Sequence, residues 1–479
     1  MADAPAFEFG IETRQAGNWP GLPSRTNEYD ATEDKNRRKA APSLLRSEDR
    51  ELTELKRKKL VGGAREIRRN FALAGWMIRK HLDFVASFNF QCNSADKTVN
   101  ERVVALMNWY SRAENCDVAN RHSLKKKVRL YEAGRVVDGD VAAIKITGAS
   151  DRGKLQDIEG DRIRSGSPVE LPGGQKIEHG VVTNEAGKAL AYHIHRRTGT
   201  GGFEFERVVP ANRMIVHAHY DRIDQVRGIS PIAAAINSLR DVYEGFDYAL
   251  AKAKVGQMFG LKFTREAQET FDNVTDNTAG GGGYDVDFGR GPVVLDLDAG
   301  DDADFIESKN PSTEFQNFTQ AMIGVSLKAL DIPYSFYDES FTNFFGSRAA
   351  LIQYQKSCDD KREDVRELLR KITAWRLSMF IDDGILKLPK MMAIEDIAFK
   401  WTPSGMPWWD PSKEITGATK AIAAGLRTRS EIRQETHGDD WKAVIDKLAE
   451  EEEYMQAAGV HVTLEHAGEV ELPEQKGAA

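Results

Sequence analysis

The sequence of 479 residues predicts an α+β fold, because its pattern changes from helical to strand-like and back along the chain. Residues 64–85 place apolar side chains at three- and four-residue steps, as on one face of a helix. Residues 130–219 instead form short alternating or β-branched segments between Gly, Pro and Asn turns, which predicts a largely antiparallel sheet. Residues 348–381 return to helical periodicity over a length far above that of an average helix.

The first part of the chain differs from the rest of the sequence in composition and apolar periodicity. Residues 1–63 combine Pro, Gly, Asn and dense charge with little apolar periodicity, so we expect a mobile N-terminal arm or a solvated helix there. Order should begin near Ala64, in one helix whose apolar face comprises Ile67, Phe71, Ala74, Ile78, Leu82 and Val85. The segment VNERVVALMNWYSRAE predicts a second helix.

Helices return after the strand-like region. One should run from Gly228 to about Gln257, followed by a small insertion of mixed strands over residues 258–310 that contains the loop DNTAGGGGYD. Another is predicted for 312–330, with Ser312 or Thr313 as its cap. The long helix then has an apolar side formed by Leu351, Tyr354, Cys358, Val365, Leu368, Ile372, Trp375 and Met379.

The C-terminal part predicts a short strand and two helices. The strand is IAFKW, and the helices are KEITGATKAIAAGL and SEIRQETHGDDWKAVIDKLAEEEEYMQ, separated by a stop at Gly425 and a cap at Ser430. We expect residues 459–479 to be a disordered tail.

Composition limits the possible functions. The net charge of −8 argues against a nucleic-acid-binding scaffold, which needs a clustered basic face. The three cysteines, Cys92, Cys116 and Cys358, are odd in number and widely spaced, which favours reduced thiols. The chain contains neither an apolar run long enough to span a bilayer nor a signal-peptide pattern, so we expect a cytoplasmic protein without membrane contact.

Two pairs of histidines form the strongest enzyme-like pattern. His193 and His195, like His217 and His219, lie at i and i+2 in strand-like segments, which places each pair on one face of a strand. A metal-dependent hydrolase that uses these pairs is therefore an alternative function, although no HExxH motif accompanies them. The glycines at 280–283 lack the GxxxxGK[ST] pattern and predict a flexible turn, so no nucleotide cofactor is expected.

Four local patterns, in this order, are similar to the lambda family of phage portal proteins between Ala64 and Met455. The first is REIRRNFALAGWMI. The second is HAHYDRIDQVRGISPIAAAINSLRDVYEGFDYALAKAKV, in which a strand ends in an Arg-Gly-φ-Ser-Pro turn before a helix. The third is DIPYSFYDESFTNFFGSRAALIQ, and the fourth is WWDPSKEITGATKAIAAGLRTRSEI.

The resemblance implies a portal-protein fold with an α/β wing, a helical stem, a small mixed clip, a long bridging helix and a helical crown. The implied wing is 64–228, and the two stem helices are 229–257 and 311–330, with the clip between them at 258–310. A tunnel loop at 331–347 then leads into the long helix and the return to the wing at 348–410, and the crown is 411–458.

The resemblance also implies a non-enzymatic function without catalytic residues, metal or cofactor. The subunit would form a homo-oligomeric ring of twelve copies at a capsid vertex of the virion, assembled in the host cytoplasm. Double-stranded DNA would pass through this ring without sequence specificity during packaging and ejection. The implied protein partners are the large terminase, the major capsid and scaffolding proteins, and the head-tail connector or adaptor proteins.

The predicted site residues fall into two sets. Because carboxylates repel phosphates and keep DNA from adhering to a channel, we expect the tunnel loop to contact DNA. Its predicted contact residues are Asp338, Glu339, Phe341, Asn343, Phe344 and Phe345. The alternative is that the loop aromatics form a subunit-interface core instead. The stem helices are expected to contact neighbouring subunits through Ile232, Ile236, Leu239, Tyr243, Phe315 and Phe318, although the same apolar stripe also suits simple core packing.

Overall fold

The computed structural model describes residues 46–148, 150–166, 173–199, 201–257, 261–265, 301–305, 313–338, 344–390, 392–405 and 411–458. Within these ranges the chain consists of helices and four small antiparallel sheets. The predicted α+β class is therefore confirmed. The predicted tail at 459–479 and the first 45 residues of the predicted arm lie outside the described residues.

Order begins earlier than the sequence pattern predicted. Helices α1 (Glu48–Glu51) and α2 (Glu54–Asn70) precede α3 (Ala72–Val85), so the prediction of an arm or solvated helix up to residue 63 is wrong for α2. The reason is that Arg57 is buried in an ion pair with Asp140 and anchors the charged helix. The predicted single helix is also broken at Phe71, whose backbone is extended.

The strand-rich region contains two separate sheets. After β1 (Phe88–Cys92) come α4 (Lys97–Tyr110), α5 (Ala113–Cys116) and α6 (Leu124–Asp138). Strands β2 (Asp140–Lys145), β3 (Leu155–Glu159) and β8 (Met214–Ala218) form a sheet in the order β3-β2-β8. Strands β4 (Lys176–Glu178), β5 (Val181–Thr183), β6 (Ala189–Arg197) and β7 (Phe203–Pro210) form the other in sequence order.

Helix α6 corrects the expectation that strand-like structure starts near residue 130. Its apolar side chains are buried on several sides, which hides the helical period in the sequence, and it continues until Gly139 ends it with a φ of 93°. The predicted antiparallel pairing of the subsequent strands is confirmed.

The next helices flank a short strand pair. Helix α7 (Ile236–Gln257) starts eight residues later than Gly228, after a 3₁₀ turn. Strands β9 (Leu261–Arg265) and β10 (Asp301–Phe305) pair antiparallel, and α8 (Thr313–Leu327) comes next. Helices α7 and α8 pack against each other. Gly245 of α7 faces the ring of Phe315 of α8, and a Cβ added to this glycine would lie 3.9 Å from that ring. The glycine-rich loop lies outside the described residues.

The predicted long helix is confirmed. Helix α9 (Phe344–Asp382) has 39 residues and spans about 60 Å. Together with α3, α4 and α6 it surrounds the larger hydrophobic core, to which the buried Tyr354, Cys358, Val365, Leu368 and Ile372 contribute. Strand β11 (Phe399–Pro403) then pairs antiparallel with β1, which joins residues more than 300 positions apart in the sequence.

The C-terminal helices are α10 (Pro411–Ala423), α11 (Arg429–Thr436) and α12 (Trp441–Ala457). The predicted second helix is thus two helices, because Gly438 adopts a φ of 71° between them. The predicted stop at Gly425 is confirmed by its φ of 68°, whereas the cap is Thr428 rather than Ser430 and forms a capping box with Glu431. No side chain of α10 or α12 is buried.

Candidate functional site

The Arg-Gly-φ-Ser-Pro turn joins the strand-rich part of the chain to helix α7. Arg227 is almost completely buried, and its guanidinium donates to both carboxylate oxygens of Asp140 at 2.6 and 2.9 Å. The same group donates to the backbone carbonyls of Ile163, His179 and Gly160 at 2.8, 2.7 and 2.6 Å. One arginine therefore connects the turn to both sheets.

Asp140 has a second cationic partner from the N-terminal helix. Arg57 of α2 donates to Asp140 at 2.9 Å and to the carbonyl of Gly228 at 2.8 Å, while the Gly228 amide donates to Asp140 at 3.1 Å. Burial alone would raise the pKa of Asp140, but the charges of Arg227 and Arg57 outweigh it and lower the pKa to about 2. Asp140 is therefore ionised at neutral pH.

Two glycines allow the backbone of the turn to pack directly against the backbone that precedes β2. A Cβ on Gly228 would lie 2.1 Å from the carbonyl oxygen of Gly139, and a Cβ on Gly139 would lie 2.5 Å from that of Gly228. Gly139 also has the positive φ that favours glycine. Ser230 completes the turn by donating its hydroxyl to the carbonyl of Val136 at 2.7 Å. We call Arg57, Gly139, Asp140, Arg227 and Gly228 the turn lock.

A second buried charge cluster lies between α3, α6, β8 and α9. Glu132 is fully buried and accepts hydrogen bonds from His81 at 2.6 Å and His217 at 2.7 Å. Arg135 donates to both Glu132 oxygens at 2.8 Å and pairs with Asp364 of α9 at 3.1 Å. The cluster therefore connects the long helix to the strand-rich region through charged hydrogen bonds.

The protonation states of this cluster result from burial and charge. Burial alone would raise the pKa of Glu132, but Arg135 and the hydrogen bonds from His217 and His81 hold it well below its usual range. Burial lowers the pKa of His81. His81 is therefore a neutral ring at neutral pH, and its Nε2–H donates to ionised Glu132.

The histidine pairs do not form one site. His193 and His195 are buried on β6 against the Phe205 ring, with centroid distances of 6.0 and 5.7 Å, whereas His217 belongs to the other sheet and is bonded to Glu132. His219 pairs with Asp221 at 3.1 Å. In the described part of the chain, no three His, Cys, Asp or Glu side chains are arranged to hold a metal ion. The hydrolase alternative therefore lacks a site there.

The first part of the predicted tunnel loop is half-buried against its own chain. The Phe336 ring contacts the rings of Phe84 and Tyr354, with centroid distances of 5.9 and 5.3 Å. The Tyr337 ring lies edge-on to Trp76 with a centroid distance of 6.3 Å. Residues 334–337 thus pack against α3 and α9 of their own chain, while Tyr337 stays 42% exposed.

Most of the predicted DNA-contacting residues fall outside this packed segment. Asp338 is half-buried, and its amide donates to the carbonyl of Tyr334 at 3.1 Å. Glu339, Phe341 and Asn343 lie outside the described residues, and only the backbone of Phe344 and Phe345 is described, in the first turn of α9. Their contact with DNA remains a prediction.

The predicted subunit-contact residues divide into buried and exposed groups. Ile232, Ile236 and Leu239 belong to the chain's own core, with at most 7% of their surface exposed, so they offer no surface to a neighbour and that part of the prediction is corrected. Phe315 is half-buried against α7. Tyr243 and Phe318 are 37% and 63% exposed and keep the predicted role as candidates.

The exposed apolar surface of α7 and α8 extends beyond the predicted residues. The further exposed side chains are Phe246, Tyr248, Leu250 and Val325. Of the apolar stripe that predicted helix α7, the first half is thus core and the second half is surface. The three cysteines are free, as predicted, and all three are buried. None of the described helices combines the length and apolar content needed to cross a membrane.

Comparison with known proteins identifies the family. A family model described as phage portal protein, lambda family, matches residues 34–362, which is more than half of the chain. The chain belongs to the lambda family of phage portal proteins. The predicted resemblance is thereby confirmed, and with it the assignment to a structural, non-enzymatic component of a phage particle.

Individual proteins of phages and of a phage-like particle are similar to the chain at low identity. A probable portal protein of Halomonas phage phiHAP-1 is 24% identical over 372 residues, which cover 73% of this chain and 70% of that protein. A chain from the virion of a native gene transfer agent particle aligns with 14% identity and a TM-score of 0.46, over 78% of this chain and 92% of that one. An HK97 family phage portal protein from Corynebacterium diphtheriae aligns with 12% identity and a TM-score of 0.33, over 73% and 96%.

Proposed function

We propose that copies of this chain close into a dodecameric ring at a capsid vertex, through which double-stranded DNA enters during packaging and leaves during ejection. Family membership supports the portal role. The observation that carries the ring is the exposed apolar surface on α7 and α8, because a soluble chain rarely exposes such a surface without a partner. A closed ring covers it when each copy contacts the next.

The regions of the chain have corresponding roles in this proposal. Residues 64–228 form the wing, 229–257 and 311–330 the stem, 258–310 the clip, 331–347 the tunnel loop, 348–410 the bridge back to the wing, and 411–458 the crown. The turn lock lies between the proposed wing and stem, and the Glu132 cluster lies between the wing and the long helix. The buried charge networks at both places support a rigid connection that transmits force from the wing to the stem and to the long helix.

The tunnel loop supplies the DNA contact in this proposal. The sequence from Ile332 to Gly346 contains Asp338 and Glu339 and no Lys or Arg. Twelve copies would place a ring of carboxylates around the duplex. Because carboxylates repel phosphates, the DNA binds tightly at no position along the channel and can slide. The packing of residues 334–337 against α3 and α9 supports a loop whose first part is rigid.

The ring has no DNA motor of its own in this proposal. ATP hydrolysis comes from the large terminase, which docks at the clip while DNA is packaged. The head-tail connector or adaptor proteins later take the same place, and the major capsid and scaffolding proteins contact the wing and crown. Assembly takes place in the host cytoplasm before the ring becomes part of the virion.

The mass of the purified, tag-free chain in solution tests the ring. Light scattering should give about twelve times the subunit mass of 53.5 kDa, and negative-stain images should show a central hole. A stable 53.5 kDa monomer at all concentrations contradicts the ring.

Charge reversal in the loop tests the DNA contact separately. Replacing Asp338 and Glu339 together by Lys should slow or stall packaging in an in vitro reaction with terminase, because the bore then binds phosphates. Replacing Glu451 and Glu452 together by Lys is the matched control, since the two are exposed on α12, outside the loop, and the change in charge is the same. Unchanged packaging by the double variant contradicts the sliding role.

A further inference from the structure

Helix α2 carries positive charge that its own chain does not neutralise. Its 17 residues include seven Lys or Arg and two Glu, in a chain whose net charge is −8. Both carboxylates are already occupied by arginines of other elements: Glu54 pairs with Arg164 at 2.6 Å, and Glu66 pairs with Arg240 at 3.4 Å. They are therefore not available to the lysines of their own helix.

Two of the seven cations are used inside the chain, and five are exposed. Arg57 pairs with Asp140, and Arg65 pairs with Asp138. The other five have no ion-pair partner in the part of the chain that the structure describes; they are Lys56, Lys58, Lys59, Arg68 and Arg69. The exposed side of α2 is therefore basic near both ends of the helix.

The exposed cations extend along one side of α2 and onto α3. Lys58 and Arg69 are eleven residues, or three turns, apart, which places them on the same side at a separation of about 16 Å. Arg79 of α3 is also exposed, and no described residue forms an ion pair with it. Its Nη1 atom lies 3.3 Å from the position that a Cβ on Gly75 would occupy, and the carbonyl oxygen of Arg68 lies 3.4 Å from the same position. Arg79 thus adds a charge at the C-terminal end of α2, and we call Lys58, Lys59, Arg68, Arg69 and Arg79 the cation surface.

The surroundings of these cations suit a phosphate backbone better than a protein partner. In α2 and α3, which are both described throughout, Leu55 is the one exposed large apolar side chain. Gly62, between Lys58 and Arg69, is exposed, and a Cβ there would meet nothing within 4 Å. Protein interfaces have an apolar or aromatic centre, whereas contacts to phosphates need cations and an open approach. The cation surface therefore favours a nucleic acid over an acidic protein.

We propose that the cation surface binds the phosphates of double-stranded DNA without sequence specificity; this rests on the proposed function for the identity of the nucleic acid. A duplex length of about 16 Å carries roughly ten phosphate charges, more than the cation surface can neutralise. Acidic residues elsewhere in the chain weaken this contact little at physiological salt, where the Debye length is about 8 Å. The tunnel loop lets the duplex slide, whereas the cation surface retains it.

Binding of a short fluorescent duplex to the purified full-length chain, measured by anisotropy at several salt concentrations, tests this surface. The triple variant Lys58→Gln, Lys59→Gln, Arg69→Gln should bind roughly tenfold more weakly or worse, because three phosphate contacts are lost. The slope of log affinity against log salt should become shallower by about three. The matched control removes the same charge from exposed positions in and beside the sheet of β4 to β7, as Lys176→Gln, Lys188→Gln and Arg213→Gln, and should bind like the natural chain.

Polyglutamate distinguishes DNA from an acidic protein as the partner. It carries one charge per ~3.5 Å when extended, against one per ~1.7 Å along the duplex, so it should compete roughly tenfold less well at equal charge concentration. Equal competition by polyglutamate, or equal DNA binding by the triple variant and the control, overturns this inference. Each chain carries the whole cation surface, so rings and single subunits can both be measured. Failure here leaves the channel proposal intact, whereas a chain that forms no ring contradicts the proposed function and not this surface.

Discussion

Arg227, in the segment that connects strand β8 to helix α7, forms a bidentate ion pair with Asp140. Both side chains are at most 3% exposed, and the guanidinium contacts the carboxylate at 2.6 and 2.9 Å. Arg57 adds a second charge to the same carboxylate from a helix some 80 residues earlier. The Asp140 carboxylate therefore holds together helix α2, strand β2 and the turn before α7.

Removing the arginine of this pair should destabilise the protein strongly. Arg227→Met leaves Asp140 with one cationic partner and removes one hydrogen bond from each of three backbone carbonyls. We expect a loss of about 3 to 5 kcal/mol in the free energy of unfolding, measured by urea titration. The matched control is Arg196→Met, whose pair with Glu204 is exposed and should contribute less than about 1 kcal/mol. Equal losses for the two variants contradict the structural role of the pair.

The acid sensitivity of the protein should depend on Asp140. Its pKa is lowered from 3.8 to about 2 in the folded chain, so the folded state binds protons less readily than the unfolded state. The corresponding stability is fully present above about pH 5 and is lost as the pH falls through 4 towards 2. The loss amounts to about 2 kcal/mol.

Asp140→Asn tests this dependence. The variant should be less stable at neutral pH, but its free energy of unfolding should fall less steeply than that of the natural chain between pH 5 and 2. Asp83→Asn is the control, because Asp83 is largely exposed and pairs with Arg129 at the surface. An unchanged pH profile for Asp140→Asn contradicts the assignment.

The two glycines of the turn lock should not tolerate a methyl group. Gly228→Ala places a Cβ 2.1 Å from the carbonyl oxygen of Gly139, which is backbone and cannot move without opening the turn. We expect a loss of more than about 3 kcal/mol or failure to fold, measured by urea titration and soluble yield. Gly62→Ala in helix α2 is the control, since its Cβ would meet nothing within 4 Å. It should stabilise the helix by up to ~1 kcal/mol.

Apolar spacing was sufficient to predict the elements that surround the core. The positions predicted for α9, from Tyr354 to Ile372, are buried at the expected three- and four-residue steps. Spacing alone left two alternatives open for α7, because an apolar stripe has the same sequence pattern whether its own chain or another molecule covers it. Phe246 and Leu250 continue the period but are exposed.

The buried charges were not predictable from spacing. The dense charge and weak apolar periodicity around Arg57 predict a mobile or solvated segment, and its partner Asp140 is 83 positions away. Glu132 lies between Tyr131 and Ala133, where a charge within an otherwise buried helical stretch was the available signal. Arg135 lies three residues later on the same helix, but His81 and His217 come from two other elements, and only the fold brings them to Glu132.

The exposed apolar side chains of the stem should affect assembly rather than folding. Phe318 is 63% exposed on α8, so Phe318→Asp should change the free energy of unfolding of the isolated chain little. Its unfolding temperature should shift by less than about 2 °C. In a ring, the same change buries an unpaired carboxylate against the neighbour, which costs several kcal/mol per contact. Light scattering should therefore detect subunits or small oligomers at concentrations where the natural chain forms rings.

Ile223→Asp is the matched control for this variant. Ile223 is a fully exposed apolar side chain in the loop after β8, outside the proposed stem, and the same substitution there changes the net charge equally. Its rings should keep the natural mass, because no ring contact is lost. If both variants assemble normally, α8 does not contact a neighbour through Phe318; if both fail, added charge rather than the stem surface controls assembly.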